Sequence, residues 1–85
     1  NGNLDDQAFA EQSLGTIFLM KKEYQKAVKH LQVSIELAER IKAEWNIGYQ
    51  YADLALAFSG LELHAQAIDA VEKACQYAVH RNYQY

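Results

Sequence analysis

An internal repeat with a spacing of 40 residues constrains this chain more than any other feature. Four residues recur unchanged at that spacing: Leu14 as Leu54, Phe18 as Phe58, Ala27 as Ala67 and Ala38 as Ala78. Side chains of related size recur at Phe9 and Tyr49, Gly15 and Ala55, Leu31 and Val71, and Ser34 and Ala74. A unit of this length cannot bury its apolar face alone, so neighbouring units must stack on it. Stacked repeats usually present a surface that holds another protein.

Composition favours one small helical domain spanning residues 1–85. The apolar fraction of 51% is sufficient for a core, and the chain has no proline and only four glycines. The net charge of −3 is too small to indicate a nucleic-acid-binding protein. No segment is apolar for the ~18 residues of a membrane span, and the single cysteine fits a reducing, cytoplasmic compartment.

Apolar spacing predicts four helices and no strands. Residues 24–41 carry an apolar stripe at steps of three and four, and the segment from His64 to His80 copies it. A further helix is expected before each, the first with Asp5 or Asp6 as its N-cap. Breaks near residues 21–23 and 60–63 would turn each pair into an antiparallel hairpin.

Small residues indicate where the helices of each hairpin approach. Gly15 costs about 1 kcal/mol in a helix interior relative to alanine, which is accepted where another backbone must come close. Ala55 occupies the equivalent position in the second repeat. The structural signature that we expect at the packing contacts is Leu14, Gly15, Phe18, Ala27, Leu54, Ala55, Phe58 and Ala67.

These residues resemble the tetratricopeptide repeat. The first repeat, about residues 8–41, supplies Leu14-Gly15, Phe18, Tyr24, Ala27, Leu31 and Ser34; the second, about 48–81, supplies Tyr51, Leu54-Ala55, Phe58, Ala67, Val71 and Ala74. The resemblance implies an all-α fold of two stacked antiparallel helical hairpins, a fragment of an α-solenoid.

The chain departs from the family pattern in three ways. Glu11 stands where a large apolar residue is expected, the proline between repeats is absent, and the spacing is 40 rather than about 34. The longer spacing is similar to the repeats of Pins-type polarity adaptors and bacterial peptide-pheromone receptors. Those repeats commonly turn at a Gly-Asp pair, whereas Lys42-Ala43 stands here and lacks turn chemistry. A weak turn is expected, or a helix that runs through it.

No group of residues predicts catalysis, a cofactor or a metal. His30, His64 and His80 fall on separate segments, and none has a second ligand one helical turn away. Cys75 aligns with Ile35 in the apolar stripe and is expected to be a buried thiol. Lys22, Lys26 and Lys29 form a basic stripe that could bind an acidic partner but is more often a solvated face. The chain is therefore expected to have no enzyme activity.

The resemblance implies a binding groove lined by the first helix of each repeat. The matching positions are Phe9, Gln12, Thr16 and Leu19 in the first repeat and Tyr49, Ala52, Asp53 and Leu56 in the second. The lysines and asparagines with which the family grips a terminal carboxylate are missing from these positions. A partner helix or peptide is the expected ligand; the alternative is a peptide-sensing segment of a larger bacterial regulator.

The aromatic residues leave a second interpretation equally open, in which they pack against further repeats of a parent protein. Two repeats fall short of the three or so that a solenoid needs. Tyr77 and part of the Val79 side of the last helix are expected to be exposed, and self-association or additional repeats should cover them. One route is an exchange of hairpins between chains through the weak turn at Lys42-Ala43.

Overall fold

Four α-helices form two antiparallel hairpins that stack on each other. The computed structural model describes residues 4–82, with the backbone alone for 44, 45 and 79–82. The helices are α1 (Leu4–Met20), α2 (Tyr24–Arg40), α3 (Glu44–Gly60) and α4 (His64–Asn82). The packed pairs are α1 with α2, α3 with α4, and α2 with α3, and α1 also touches α3. This arrangement confirms the predicted all-α fold of helical hairpins, and residues 4–82 contain no strand.

All three connections share one turn geometry. Each contains a residue in the left-handed region: Lys22 at φ 63°, Lys42 at φ 59° and Glu62 at φ 62°. The next residue donates its N–H to a carbonyl five positions back, as Ala43 does to Ala38 at 2.9 Å. The left-handed residue itself donates three positions back, as Lys42 does to Glu39 at 3.2 Å. These are the two hydrogen bonds of a Schellman motif, which satisfies the last carbonyls of a helix.

The turn at Lys42-Ala43 is therefore formed, and the helix does not run through it. Its backbone hydrogen bonds do not require glycine, because a lysine tolerates the left-handed conformation at a moderate energetic cost. The predicted N-cap was wrong: α1 already begins at Leu4, so Asp5 and Asp6 lie in its first turn. There they still favour the helix, since negative charge at the N-terminus offsets the macrodipole.

Within each hairpin the helices approach at the predicted small residues. A Cβ added to Gly15 would lie 2.7 Å from Cγ of Leu31, so α2 contacts the α1 backbone directly at this point. Ala55 is buried at the equivalent position of α3. Ser34 Oγ donates a 3.1 Å hydrogen bond to the carbonyl of Ala8, which joins α2 to the start of α1.

The core lies between α2 and α3, where the hairpins stack. Leu31, Ile35 and Ala38 of α2 form one buried cluster with apolar residues of α3. The predicted signature residues in this cluster are Ala27, Leu54, Ala55 and Phe58, with Phe18 and Ala67 packed against it while partly buried. Leu14 differs from its counterpart, because it is 39% exposed and Leu54 only 5%.

Gly60 lies at a close contact between the two repeats and is not part of a turn. The break was predicted to begin at this glycine, but Gly60 is the last residue of α3. A Cβ on Gly60 would fall within 2.5 Å of the ring of Tyr24, at the start of α2. The absence of a side chain therefore lets the end of α3 pack across that aromatic ring.

Candidate functional site

An apolar groove runs along one side of the second hairpin, between α3 and α4. It encloses about 850 Å³, a volume within the range of ligand-binding clefts. Small and aliphatic side chains make most of its lining, with one carboxylate: Gly48, Tyr49, Ala52, Ala55, Leu56, Ser59, Ala67, Ile68, Val71, Glu72, Ala74, Cys75, Tyr77 and Ala78. We call this feature the α3–α4 groove.

The α3–α4 groove is the second-repeat equivalent of the surface on which α3 packs in the first repeat. On α2 that surface, which we call the α3 contact surface, comprises Leu31, Ile35 and Ala38, all at most 5% exposed. Their counterparts on α4 are Val71, Cys75 and Ala78, and all three are exposed. The same repeat positions are thus covered by a helix in one hairpin and open in the other.

The predicted site residues of α3 divide between this groove and the neighbouring surface. Tyr49, Ala52 and Leu56 line the groove, and Tyr49 and Leu56 are 65% and 60% exposed. Asp53 is half-buried and lies outside the groove lining. Partial burial raises the pKa of the Asp53 carboxyl above its ordinary value, because the charged form loses hydration.

The predicted site residues of α1 lie apart from the groove. Phe9 is 71% exposed on α1, and Thr16 is half-buried. Leu19 packs against the core. Gln12 accepts a 2.6 Å hydrogen bond from Nδ2 of Asn46 on α3. At least Gln12 therefore belongs to the contact between the repeats.

Sequence reasoning missed the contribution of α4 to the groove. The exposed apolar stripe of Ile68, Val71, Cys75 and Ala78 supplies one wall. The repeat alignment indicated that α4 carries this surface, since it pairs Val71 with Leu31 and Cys75 with Ile35. It does not indicate which of the two copies is covered by a neighbouring helix. Cys75 was predicted to be buried and is exposed. The helix that buries Ile35 has no counterpart over Cys75 among the described residues.

Tyr77 is less exposed than predicted. Its ring is partly buried against the core and stacks on Tyr51, with centroids 5.9 Å apart and planes inclined by 22°. Nζ of Lys73 lies 5.6 Å from the centroid of the Tyr51 ring on the same side of the hairpin. Burial raises the pKa of the Tyr51 hydroxyl, Glu39 adds to the effect, and Lys73 opposes it. The predicted exposure of the Val79 side chain lies outside the described residues.

A second, more polar groove lies between α2 and α4. It encloses about 360 Å³ and is bordered by the carboxylates of Glu36, Glu39 and Asp69. Lys73 also lines it and pairs with Asp69 at 3.3 Å. The charged groups thus collect between the second helices of the repeats, while the α3–α4 groove is almost entirely apolar.

His30, His64 and the three lysines of the predicted basic stripe are absent from the groove lining. Nδ1 of His30 lies 2.6 Å from Oε1 of Glu11, and the imidazole stacks on Phe18 with centroids 5.3 Å apart. His64 is exposed, while the His80 side chain lies outside the described residues. Lys22, Lys26 and Lys29 are all exposed. Among the side chains that the structure describes, no three His, Cys, Asp or Glu are arranged to hold a metal ion.

Comparison with known proteins identified no relative of this chain. A scan against protein-family models, a search of curated proteins and a search of solved structures each found no match to this chain. None of the four described helices has both the length and the apolar character needed to cross a membrane.

Proposed function

We propose that this chain is a non-catalytic protein-interaction module whose α3–α4 groove binds an amphipathic helix. One observation carries the proposal. Val71, Cys75 and Ala78 are exposed, although Leu31, Ile35 and Ala38 at the same repeat positions are buried beneath a helix. An open apolar surface equivalent to an occupied helix-binding surface is suited to the same class of occupant.

The chemistry of the groove supports a helix rather than a polar ligand. Alanine, valine, isoleucine and leucine dominate its walls, and Glu72 is its single ionisable carboxylate. Helix-in-groove recognition uses apolar anchors at steps of three and four residues and few directional hydrogen bonds. Tyr49 and Tyr77 add aromatic surface at one end, and tyrosine is frequent among the residues that dominate binding energy.

The α3 helix provides a template for the anchors. It buries Ile47, Leu54 and Phe58 in the core cluster that contains the α3 contact surface, and its fully buried Ala57 lies beside them. The partner helix should carry large apolar residues at the corresponding spacing. The resemblance to tetratricopeptide repeats is part of this proposal. It is supported by helices of 17, 17, 17 and 19 residues joined by three identical turns.

This site differs in part from the one that the resemblance implies. Tyr49, Ala52 and Leu56 belong to both, but the second wall of the groove comes from α4 instead of α1. The pairing of Gln12 with Asn46 explains the difference, because α3 itself occupies that part of the α1 surface.

A fluorescently labelled peptide of residues 44–60 is a suitable probe, since this segment contains the buried face of α3. We expect it to bind the intact chain, with Val71→Glu weakening the affinity by at least about tenfold, or ~1.4 kcal/mol. Tyr49→Ala should also weaken binding, because it removes an aromatic anchor.

Lys26→Ala is the matched control, since Lys26 is exposed on α2 and absent from the groove lining. Circular dichroism should verify that each variant remains helical. A titration in which Lys26→Ala weakens binding more than Tyr49→Ala and Val71→Glu would refute the proposed site. Absence of any binding at high micromolar concentration would also count against it.

A further inference from the structure

We propose that the helix occupying the α3–α4 groove is α1 of a second copy of this chain, so that copies associate head to tail. This inference rests on the proposed function and identifies the partner. The surface involved is the α1 outer face, which comprises Ala10, Leu14 and Ile17, all exposed.

The α1 outer face is the repeat equivalent of the buried face of α3. Leu14 and Ile17 are 39% and 46% exposed, whereas their counterparts Leu54 and Ala57 are 5% and 0% exposed. Apolar residues lie on several sides of α1, which is typical of a helix with neighbours on more than one side. Among the described helices of one copy, α1 is contacted by α2 and by a small part of α3.

The contact between the two hairpins shows how the association is built. Within the chain, α3 packs on α2 and touches α1, so the second hairpin stacks on the first. Repeating this step once more places a helix over α3 and α4. A second copy supplies that helix with its α1, because α1 and α3 share repeat positions along their length. The copy-to-copy contact would therefore continue an interface that the chain already forms.

Side-chain sizes on the two surfaces are complementary. Two groove residues on α4 are smaller than their counterparts on the α3 contact surface, since Val71 stands in place of Leu31 and Cys75 in place of Ile35. The incoming α1 carries Ile17 where α3 carries Ala57. A larger residue on the inserted helix thus meets smaller residues on the wall, as close packing requires.

The copy-to-copy contact also avoids burying a polar group of the kind that the in-chain contact buries. Gln50 on α3 is 1% exposed, and its Oε1 has no hydrogen-bond partner. The equivalent residue on α1 is Ala10, which has no such atom. Gln7 replaces Ile47 nearer the start of α1, where it is exposed. Burial of an unpaired amide costs free energy, so the apolar α1 face suits the groove in this respect.

The two surfaces differ, so the contact is heterologous. Such contacts form rings where the rotation closes and open filaments where it does not. Each copy has one α3–α4 groove and one α1 outer face, and each of these two surfaces can be inactivated separately. Ile17→Glu places a carboxylate on the α1 face, and Val71→Glu places one in the groove.

Sedimentation velocity on the intact chain across a wide concentration range is the test. The unmodified chain should form species larger than a dimer as its concentration rises, and each variant alone should remain monomeric. An equimolar mixture should form a heterodimer and nothing larger. The Ile17→Glu copy keeps its groove, the Val71→Glu copy keeps its α1 face, and the remaining surfaces of the pair are inactive.

Lys29→Glu is the control, because Lys29 is exposed on α2 and belongs to neither surface; it should associate like the unmodified chain. If Ile17→Glu loses helicity, Leu14→Ser serves as the second α1 variant. A strictly monomeric unmodified chain, or variants that fail to associate on mixing, would overturn the inference. A monomeric chain that still binds the peptide of residues 44–60 through Val71 would leave the proposed function standing and refute the second copy as its partner.

Discussion

The two hairpins carry one repeat pattern, yet they differ in what covers them. Leu31 on α2 is completely buried, and Val71 at the same repeat position on α4 is 49% exposed. The two side chains differ by a single methylene, so their chemistry does not explain the contrast. A third helix packs on the first hairpin and none of the described residues packs equivalently on the second. Burial in a stacked repeat is thus decided by the neighbour rather than by the local sequence.

A second contrast concerns the side-chain pairs that join the two helices of each hairpin. In the first repeat, Glu11 pairs with His30, whose ring stacks on Phe18. In the second, Tyr51 replaces Glu11 and stacks on Tyr77. Glu11, at a position where the repeat pattern has a large apolar residue, is half-buried and has a partner across the hairpin. Glu11 and Tyr51 are thus equivalent in the repeat but pair with non-equivalent positions, since His30 aligns with Ala70 and Tyr77 with Leu37.

The largest expected effect is the difference in stability loss between truncating Leu31 and truncating its repeat equivalent, Val71. Leu31→Ala should lower the free energy of unfolding by about 2–5 kcal/mol, because it leaves a cavity in the core next to Gly15. Val71→Ala should cost less than about 1 kcal/mol, since roughly half of that side chain is already hydrated. Urea denaturation of both variants measures the difference. The urea melts should be recorded at a concentration where the chain is monomeric. Self-association would bury Val71 and so increase the stability lost when it is truncated. Equal losses under those conditions would contradict the contrast.

Gly15→Leu should have the next largest effect. Even a methyl group at this position would lie 2.7–2.8 Å from Leu31 side-chain atoms, so the two helices must move apart. We expect a loss of about 1–3 kcal/mol from overpacking. Thermal unfolding followed by circular dichroism will measure it, with Thr16→Leu on the next residue of α1 as the control. A Gly15→Leu variant as stable as the parent would show that the hairpin does not depend on this contact.

A glycine at the inter-repeat turn should stabilise the chain. Lys42 has φ 59°, which costs a side-chain-bearing residue about 1–2 kcal/mol. Lys42→Gly relieves that cost but loses about 0.4–1 kcal/mol through the greater entropy of the unfolded chain. The net gain should be about 0.5–1 kcal/mol in urea melts, with similar gains for Lys22→Gly and Glu62→Gly. Lys29→Gly, in the middle of α2, should instead destabilise the chain by about 1 kcal/mol. A loss of stability in Lys42→Gly would mean that the three turns are not equivalent.

The smallest expected effect is a pH dependence at Asp53. Its folded-state pKa is raised above 3.8 by partial burial. The folded chain therefore binds this proton more tightly than the unfolded chain, and stability falls as pH rises from about 3.8 through the folded-state pKa. Asp53→Asn should lack this decrease and be slightly more stable at neutral pH, by less than about 1 kcal/mol after solvent screening. Paired urea melts at low and neutral pH would detect it. Parallel pH profiles for the two proteins would exclude the effect.

Much of the fold could be predicted because it depends on local chemistry and on periodicity. Apolar residues at steps of three and four determine the inner faces of α2 and α4, and Gly15 marks the closest approach of α1 and α2. The turns could be located but not fully described. Lys42 carries no sequence signal for a left-handed conformation, and its geometry follows from the hydrogen bonds that end α2.

The candidate site was only partly predictable for a different reason. Tyr49, Ala52 and Leu56 line the α3–α4 groove, whereas the predicted groove was lined by the first helix of each repeat. The transfer of repeat positions did not indicate that Gln12 would pair with Asn46, nor that Cys75 would be exposed. Both depend on which hairpin faces have a neighbour, and a repeat alignment treats the copies as equal.

The sequence by itself determined that this chain forms helical hairpins with matching apolar stripes, because helix periodicity and small-residue spacing are encoded within each segment. Only the tertiary structure decided that one stripe becomes core and the other a groove. Stacking is directional: α3 covers the first hairpin, so the same positions on the second face outward. Hydrophobic burial depends on the area that a neighbour removes from water, and that area is a property of the assembled helices.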